Sequence, residues 1–308
     1  MCVTCGCSDD AEAKVSNLQT GTVMTIQPES ETHHHHTHVL PDGKLITHSH
    51  SHEPVTETHH HHTHVLPDGK VVTHSHSHDI NEVSQIHAKI HGRTISLEHE
   101  ILSKNNLIAA ENRGWFKGRN ILALNLVSSP GSGKTTLLTR TINDLKQQLS
   151  LSVIEGDQET TNDAEKIKDT GCKVVQVNTG SGCHLDAAMV EQGLQQLNPP
   201  FNSIVMIENV GNLVCPALFD LGEQAKVVIL SVTEGEDKPI KYPYMFRASE
   251  IMILTKIDLL PYVKFDVQRC IEYAKQVNPQ IQIFQLSAQT GIGLDNWYDW
   301  LSKKAISH

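Results

Sequence analysis

The chain has 308 residues, 38% of them hydrophobic, with 25 Lys and Arg against 35 Asp and Glu for a formal net charge of −10. That hydrophobic share supports one sizeable core, and an acidic chain without a basic block excludes an electrostatic footprint for nucleic acid or an anionic membrane. No apolar run of about 18 residues and no leader with a cleavage site is found, and seven cysteines with three in the first seven residues fit a reducing compartment, so a soluble cytoplasmic protein is expected.

The chain opens MCVTCGC, in which Cys2, Cys5 and Cys7 are spaced so that three thiolates can converge on one ion while Gly6 permits a tight backbone path. Three sulfurs with a fourth donor suit tetrahedral zinc or square-planar nickel; the alternative is a set of exposed thiols. Two near-identical stretches follow, THHHHTHVLPDGKLITHSHSH from Thr32 and THHHHTHVLPDGKVVTHSHSH from Thr58. The first contributes His33, His34, His35, His36, His38, His48, His50 and His52, the second His59, His60, His61, His62, His64, His74, His76 and His78. Together they hold 16 of the 21 histidines. Pro-Asp-Gly at 41–43 and 67–69 has the composition of a tight turn, and β-leaning flanks predict short hairpins that are marginal in water until something binds. Imidazole suits nickel, copper and zinc, so these tracts are read as multidentate metal capture in preference to a solvated linker. Residues 1–80 are therefore expected to form a largely disordered Cys- and His-rich metal-binding tail, and residues 81–308 a nucleotide-binding domain.

An amphipathic helix is predicted over about 96–116, ending near Gly114 and Gly118. Seven apolar, β-branched runs then alternate with helical stretches, at 121–127, 151–157, 173–178, 203–209, 226–232, 250–256 and 281–287. Such a pattern predicts an α/β fold with a doubly wound, mostly parallel sheet of about seven strands. Directly after the first run comes SSPGSGKTT, which places the domain among the P-loop NTPases: Gly133, Lys134 and Thr135 match the phosphate-loop pattern, and Ser128 stands where its first Gly belongs. Backbone N–H groups of Gly131, Ser132, Gly133 and Thr136 would face phosphate, Lys134 would add a point charge, and Thr135 would ligate Mg²⁺.

Two carboxylates end strands near this loop. Asp157 of EGD is a candidate Mg²⁺ ligand, and Glu208 with Gly211 has the ExxG spacing of a loop that senses the γ-phosphate. Either acid would also serve as a simple cap. Lys134, Asp157 and Glu208 are the expected catalytic set. Thr255, Lys256 and Asp258 in TKID resemble the guanine-reading element of GTPases, where a carboxylate accepts from the guanine N1–H and amine and so rejects adenine. Ser287 and Ala288 of SAQ occupy the place of the loop that backs the base.

With EGDQETTNDAEKI, QVNTGSGCHLDA, IENVGNLVCPALFDLGE, SVTEGEDKPIKYPYMF and TKIDLLPY, these motifs resemble the HypB family of nickel-incorporating hydrogenase maturation GTPases. The resemblance runs almost continuously over about 95–308 and includes the amino-terminal cysteines. It implies a GTPase of low intrinsic turnover whose homodimer is promoted by GTP and metal. Nickel would pass to the [NiFe]-hydrogenase large subunit with help from a HypA-like accessory zinc protein. GTP or GDP, Mg²⁺, Ni²⁺ and Zn²⁺ are the implied ligands. Cys2, Cys5 and Cys7 would be a tight nickel site, and Cys183, His184 and Cys215 a second metal site at the dimer interface. This chain has Ala188 where some members carry a further His. Urease-accessory GTPases share the phosphate loop but carry Cys-Pro-His, whereas here Cys215 is followed by Pro216-Ala217. A nickel buffer with a vestigial GTPase domain is the non-enzymatic alternative, against which the intact Lys134, Thr135, Asp157, Glu208 and Asp258 argue.

Overall fold

The computed structural model describes residues 13–25, 36–39, 45–48, 60–65, 71–76, 80–158 and 161–306, with side chains described at 13–25 and from 99 onward. They fall into two compact units, Met1–Gln27 with Glu98–His308, and Pro28–Leu97. The first unit is built on one nine-stranded sheet. Its strands are β1 (Lys14–Asn17) and β2 (Thr22–Thr25), then, after the hairpins of the second unit, β7 (Leu122–Ser128), β8 (Leu151–Asp157), β9 (Lys173–Asn178), β10 (Ile204–Glu208), β11 (Ala225–Ser231), β12 (Ile251–Thr255) and β13 (Gln282–Gln285). The order across the sheet is β13, β12, β11, β7, β10, β8, β9, β1, β2, with β7 through β13 parallel throughout.

Alternation along β7 explains why helices cover both faces. Leu122, Leu124 and Leu126 pack with Leu137, Leu138, Ile142, Ile167 and Trp297, while Ile121 and Ala123 pack on the opposite face with Phe116, Val190 and Leu221. The first group draws in α2 (Lys134–Leu145), α3 (Asn162–Asp169) and α8 (Leu294–Ile306); the second draws in α1 (Ile80–Gly118) and α4 (Ala187–Leu197). Short α5 (Lys238–Lys241) and α6 (Pro243–Ala248), with α7 (Val267–Val277), complete the cover, Phe246, Cys270 and Ala274 meeting Val228 and Met252. Full burial on both faces is why the central strands read as continuous apolar runs.

All seven predicted strand runs are found, and the doubly wound P-loop architecture is the one expected. Two expectations are corrected. The helix predicted from about 96 begins at Ile80. The sheet has two more strands than the seven expected, both antiparallel and both from the segment assigned to the tail. β1 pairs with β9, setting Val15 opposite Val177, and buries Val15 in the core. Residues 14–25 therefore lie in the same compact unit as the parallel strands, and the two units divide near 27 and near 98.

In the second unit β3 (His36–Val39) pairs with β4 (Leu45–His48), and β5 (His60–Val65) with β6 (Val71–His76), setting His60 opposite His76 and His62 opposite His74. The predicted turns at 41–43 and 67–69 lie outside the described residues, as do Cys2, Cys5, Cys7, His33, His34, His35, His50, His52, His59 and His78. The remaining tract histidines are described as backbone only.

Candidate functional site: a phosphate loop joined to a Cys/His cluster

Chain order reverses at β7, which runs on to β8 on one side of the sheet and neighbours β11 on the other, so the carboxyl end of β7 opens on a crevice. Into it turns the loop 129–133, where Gly131 and Gly133 adopt φ of +74° and +94°. An L side chain is strained there, and glycine lets the N–H groups turn inward ahead of α2. Gly133 caps α2, so the helix N-terminus and its unpaired N–H groups face the crevice. Lys134 Nζ reaches back to Ser128 Oγ at 3.0 Å, giving the residue in the first-Gly position a role of its own. Thr136 is exposed on the first turn of the same helix.

Thr135 is the hub of the acidic side. Its hydroxyl lies 2.7 Å from Glu208 Oε1 and 2.9 Å from Asp163 Oδ2. Asp163 escaped the sequence reading because an acid in the first turn of α3 reads as ordinary helix-start chemistry. Glu155 escaped it too. The β10 and β8 register sets Glu208 beside Glu155, both 3% exposed, and each has one carboxylate oxygen, Oε2, without a hydrogen-bond partner among the described residues. Burial pushes the Glu155 carboxyl up to about 9, with Glu208, Asp157 and Asp163 adding and Lys134 opposing. Burial likewise raises Glu208, against the pull of Lys134 and the Thr135 hydrogen bond. Hydroxyl and carboxylate oxygens are the donor set of a hard cation, so Thr135, Glu208 and Asp163 fit Mg²⁺, while Asp157 ends the adjacent strand β8.

Two residues of the TKID segment contact the phosphate loop. Thr255 Oγ1 donates to the Ser132 carbonyl at 2.7 Å, and Lys256 Nζ to the Gly131 carbonyl at 2.7 Å. Lys256 has φ of +59°, a left-handed conformation that turns the chain from β12 into the 3₁₀ helix Ile257–Tyr262 containing Asp258. Ile257 N–H donates to the Leu286 carbonyl at 3.4 Å, bringing the TKID turn next to Ser287 and Ala288. Ser287 is fully buried and accepts the Thr290 N–H, while the Ala288 carbonyl accepts from Arg140 of α2.

Beyond Glu208 the chain crosses the phosphate loop. A Cβ on Gly211 would stand 3.0–3.2 Å from Pro130 atoms, two of them backbone, so only glycine fits this close a passage without displacement. Four residues on, Cys215 opens the 3₁₀ helix Cys215–Ala217 and meets Cys183 and His184, which follow β9 in the turn before α4. The ligand atoms of Cys183, His184 and Cys215 all lie within 4.8 Å of one another. His184 lies against Phe219 with ring centroids 4.0 Å apart and planes tilted by 40°, and burial pushes its imidazole down to about 4, which keeps it neutral, with one ring nitrogen able to donate to a metal, at neutral pH. Two thiols and a neutral imidazole form a ligand set for zinc or nickel.

Two asparagines of α1 brace this cluster from behind. Asn105 accepts the Ala187 N–H at 2.9 Å and donates to the Asp220 carbonyl at 2.8 Å, and Asn112 donates to the Ala187 and Leu221 carbonyls at 2.9 and 3.1 Å. Each side chain thus joins the arm bearing Cys183 and His184 to the arm bearing Cys215. Lys226, buried in β11, fixes the second arm by donating to the Pro216 and Phe219 carbonyls at 2.7 and 3.2 Å.

The family model for the CobW/HypB/UreG nucleotide-binding domain matches residues 122–285, spanning both the phosphate loop and the Cys/His cluster. The chain is 59% identical over 213 residues to the hydrogenase maturation factor HypB of Rhizobium leguminosarum bv. viciae, covering 69% of this chain and 71% of that one. It is 57% identical over 209 residues to HypB of Escherichia coli K12, covering 68% and 72%. Among solved structures, HypB of Helicobacter pylori in complex with nickel superposes with a TM-score of 0.62 at 36% identity, covering 66% of this chain and 96% of that one. HypB of Archaeoglobus fulgidus gives the same TM-score at 35% identity, covering 66% and 99%. With a nucleotide-binding P-loop domain and this degree of likeness over more than two thirds of its relatives' length, the chain belongs to the CobW/HypB/UreG family and, within it, to the HypB hydrogenase maturation factors.

Proposed function

We propose that this protein is a cytoplasmic GTPase metallochaperone that binds nickel and delivers it, coupled to GTP hydrolysis, for maturation of [NiFe]-hydrogenase. The observation that carries the reading is the single segment 208–215. Its first residue, Glu208, holds the Thr135 hydroxyl of the phosphate loop, and its last, Cys215, belongs to the Cys/His cluster. A contact made at the γ-phosphate is therefore four residues from a metal ligand at Gly211 and seven at Glu208.

In this reading the 129–133 N–H groups and Lys134 take up the β- and γ-phosphates, and Asp258 selects guanine with Lys256 along the base. Thr135, Asp157, Asp163 and Glu208 hold Mg²⁺, which supplies charge neutralisation on the transferring phosphoryl group. Among the described residues none is placed as a strong water-positioning group, so intrinsic turnover is slow. Nickel is cargo, held at Cys183, His184 and Cys215, at Cys2, Cys5 and Cys7, and in the histidine tracts, where zinc also has suitable ligands. A metal shared across a two-fold axis would make the homodimer GTP- and metal-promoted. A HypA-like zinc protein and the hydrogenase large subunit are the partners this reading requires.

The test is transfer of nickel from the loaded protein to apo-hydrogenase, with GTP and with a non-hydrolysable analogue. Faster transfer with GTP is expected, and Lys134→Ala should abolish both hydrolysis and the acceleration. Asp258→Asn should relax the preference for guanine. Equal binding of ATP and GTP by the unmodified protein would overturn the nucleotide assignment, and equal transfer rates with both nucleotides the delivery assignment.

A further inference from the structure

The segment after β10 reads Glu208-Asn209-Val210-Gly211-Asn212, and the motif assigns work to its Glu and Gly only. Its two asparagines reach the same short stretch of the other arm. Asn209 Oδ1 accepts the Leu185 N–H at 3.0 Å, and Asn212 Nδ2 donates to the Cys183 carbonyl at 3.3 Å. His184 lies between those contacts, so its backbone is gripped on both sides by one loop. Neither amide is spare. Asn209, 1% exposed, also accepts the Val210 N–H at 3.0 Å and donates to Asn125 Oδ1 at 3.2 Å. Asn212 Oδ1 accepts the Val214 N–H at 2.8 Å, which sets the turn leading into Cys215.

We infer that Asn209 and Asn212 are positioning residues that pre-set Cys183 and His184 against Cys215 and make their placement depend on the nucleotide-sensing loop. The inference rests on the metal-binding reading of the cluster. Covalent connection alone ties only Cys215 to that loop; the other two ligands arrive on a separate turn after β9. The asparagine bonds bring that turn under the same control. The loop itself is fixed to the phosphate loop by Glu208 against Thr135 and by Gly211 against Pro130. All three ligand-bearing positions thereby report on one element, which is the physical requirement for a nucleotide to change metal affinity, and for metal to change nucleotide affinity by the same factor.

The measurement uses the full chain with Cys2→Ser, Cys5→Ser and Cys7→Ser, so that the thiolate-to-nickel charge-transfer band reports the GTPase-domain thiolates and the imidazole tracts stay silent. Ni²⁺ is titrated with GDP–Mg²⁺ and with a non-hydrolysable GTP analogue and Mg²⁺, in this parent and with Asn212→Ala, Asn209→Ala or Cys215→Ala added. In the parent the band is weakened by Cys215→Ala, and its midpoint differs between the nucleotide states. Asn212→Ala should weaken nickel binding about 10- to 100-fold, as loss of an outer partner of a metal ligand does, and shrink the difference between nucleotide states at least by half. Nucleotide affinity itself should stay within about twofold, because Asn212 lies outside the phosphate and base contacts. Asn209→Ala should act in the same direction; if its burial prevents folding, the half-buried Asn212 decides alone. Parent-like nickel affinity and nucleotide response in Asn212→Ala would overturn the inference, as would a Cys215-dependent band that ignores nucleotide in the parent. A band indifferent to Cys215→Ala instead sinks the metal-site reading, and this inference with it.

Discussion

At Gly211 an added Cβ meets the Pro130 ring carbon at 3.0 Å and its backbone N and Cα at 3.1 and 3.2 Å. The ring can give by a few tenths of an ångström, but the backbone of a phosphate loop cannot do so without moving its N–H groups. Gly211→Ala should therefore lower the GTP hydrolysis rate by roughly tenfold, about 1.4 kcal/mol, while leaving GDP affinity near that of the parent. Single-turnover hydrolysis and GDP titration check this, and an unchanged rate would free Gly211 of the role given by its spacing from Glu208. A second residue-scale expectation concerns thiols. Burial pushes Cys172 and Cys270 up to about 12, from an ordinary value of 9.0. A raised folded value means the associated stability is complete below about 9 and is lost as pH rises toward 12. Because the thiolate is the nucleophile, iodoacetamide at about pH 8.5 should label these two cysteines only as fast as the protein unfolds, as read by peptide mass spectrometry. Legibility at this scale was uneven: Lys134, Thr135 and Glu208 announce themselves by motif. Asp163 and Glu155 do not, since one imitates a helix-start acid and the other hides within a β-strand run whose register with Glu208 is a long-range fact.

The strands of the nucleotide unit were legible as elements because burial on both faces leaves an unbroken apolar run, as in AKVVILS of β11. β1 and β2 were not. KVSN and TVMT are four residues each, mostly polar, and only Val15 is buried; their place is decided by pairing with β9. α1 was legible only in its second half, where residues such as Ala109 and Phe116 pack on the domain. What that half does for the Cys/His cluster was invisible, since an asparagine in a helix reads as a weak helix former. In the structure Asn112 is 3% exposed, and beside it Gly222, at φ +91°, leaves no room for a side chain: a Cβ would stand 2.6 Å from the Ala109 carbonyl and from Asn112 Cβ. Asn112→Leu would leave two buried carbonyls, those of Ala187 and Leu221, without this donor, at a cost of about 1–3 kcal/mol each where no other partner is found. Differential scanning calorimetry should register that loss together with a weaker nickel charge-transfer band. Gly222→Ala, which forces α1 outward, should be at least as severe. A normal melting temperature in both variants would show that α1 does not brace the cluster.

At the scale of the whole molecule, the proposed storage and nucleotide roles fall to two compact units, so a deletion should separate them, and the position of the cut decides whether the separation succeeds. Deleting residues 30–80 removes all 16 tract histidines and leaves β1 and β2 in the sheet. Deleting residues 1–80 removes the same histidines along with both strands. Val15 then no longer covers the core, at a cost of about 1.5–3 kcal/mol for a fully buried valine. The hydrogen bonds from Asn17 to the Gln196 carbonyl and from Gln19 to the Cys172 carbonyl go too, and β9 becomes an unprotected edge. The 30–80 deletion should therefore keep GTPase activity and thermal stability while binding far fewer nickel ions at about pH 7.5, and the full-length protein should lose that extra nickel as pH falls through the imidazole range near 6.5. The 1–80 deletion should bind as little nickel through histidine but melt several degrees lower and associate through its exposed edge, a difference that calorimetry and light scattering resolve. Equal nickel counts in the full-length and 30–80-deleted proteins would remove the storage role from the tracts. Equal stability of the two deletions would detach residues 14–25 from the nucleotide unit.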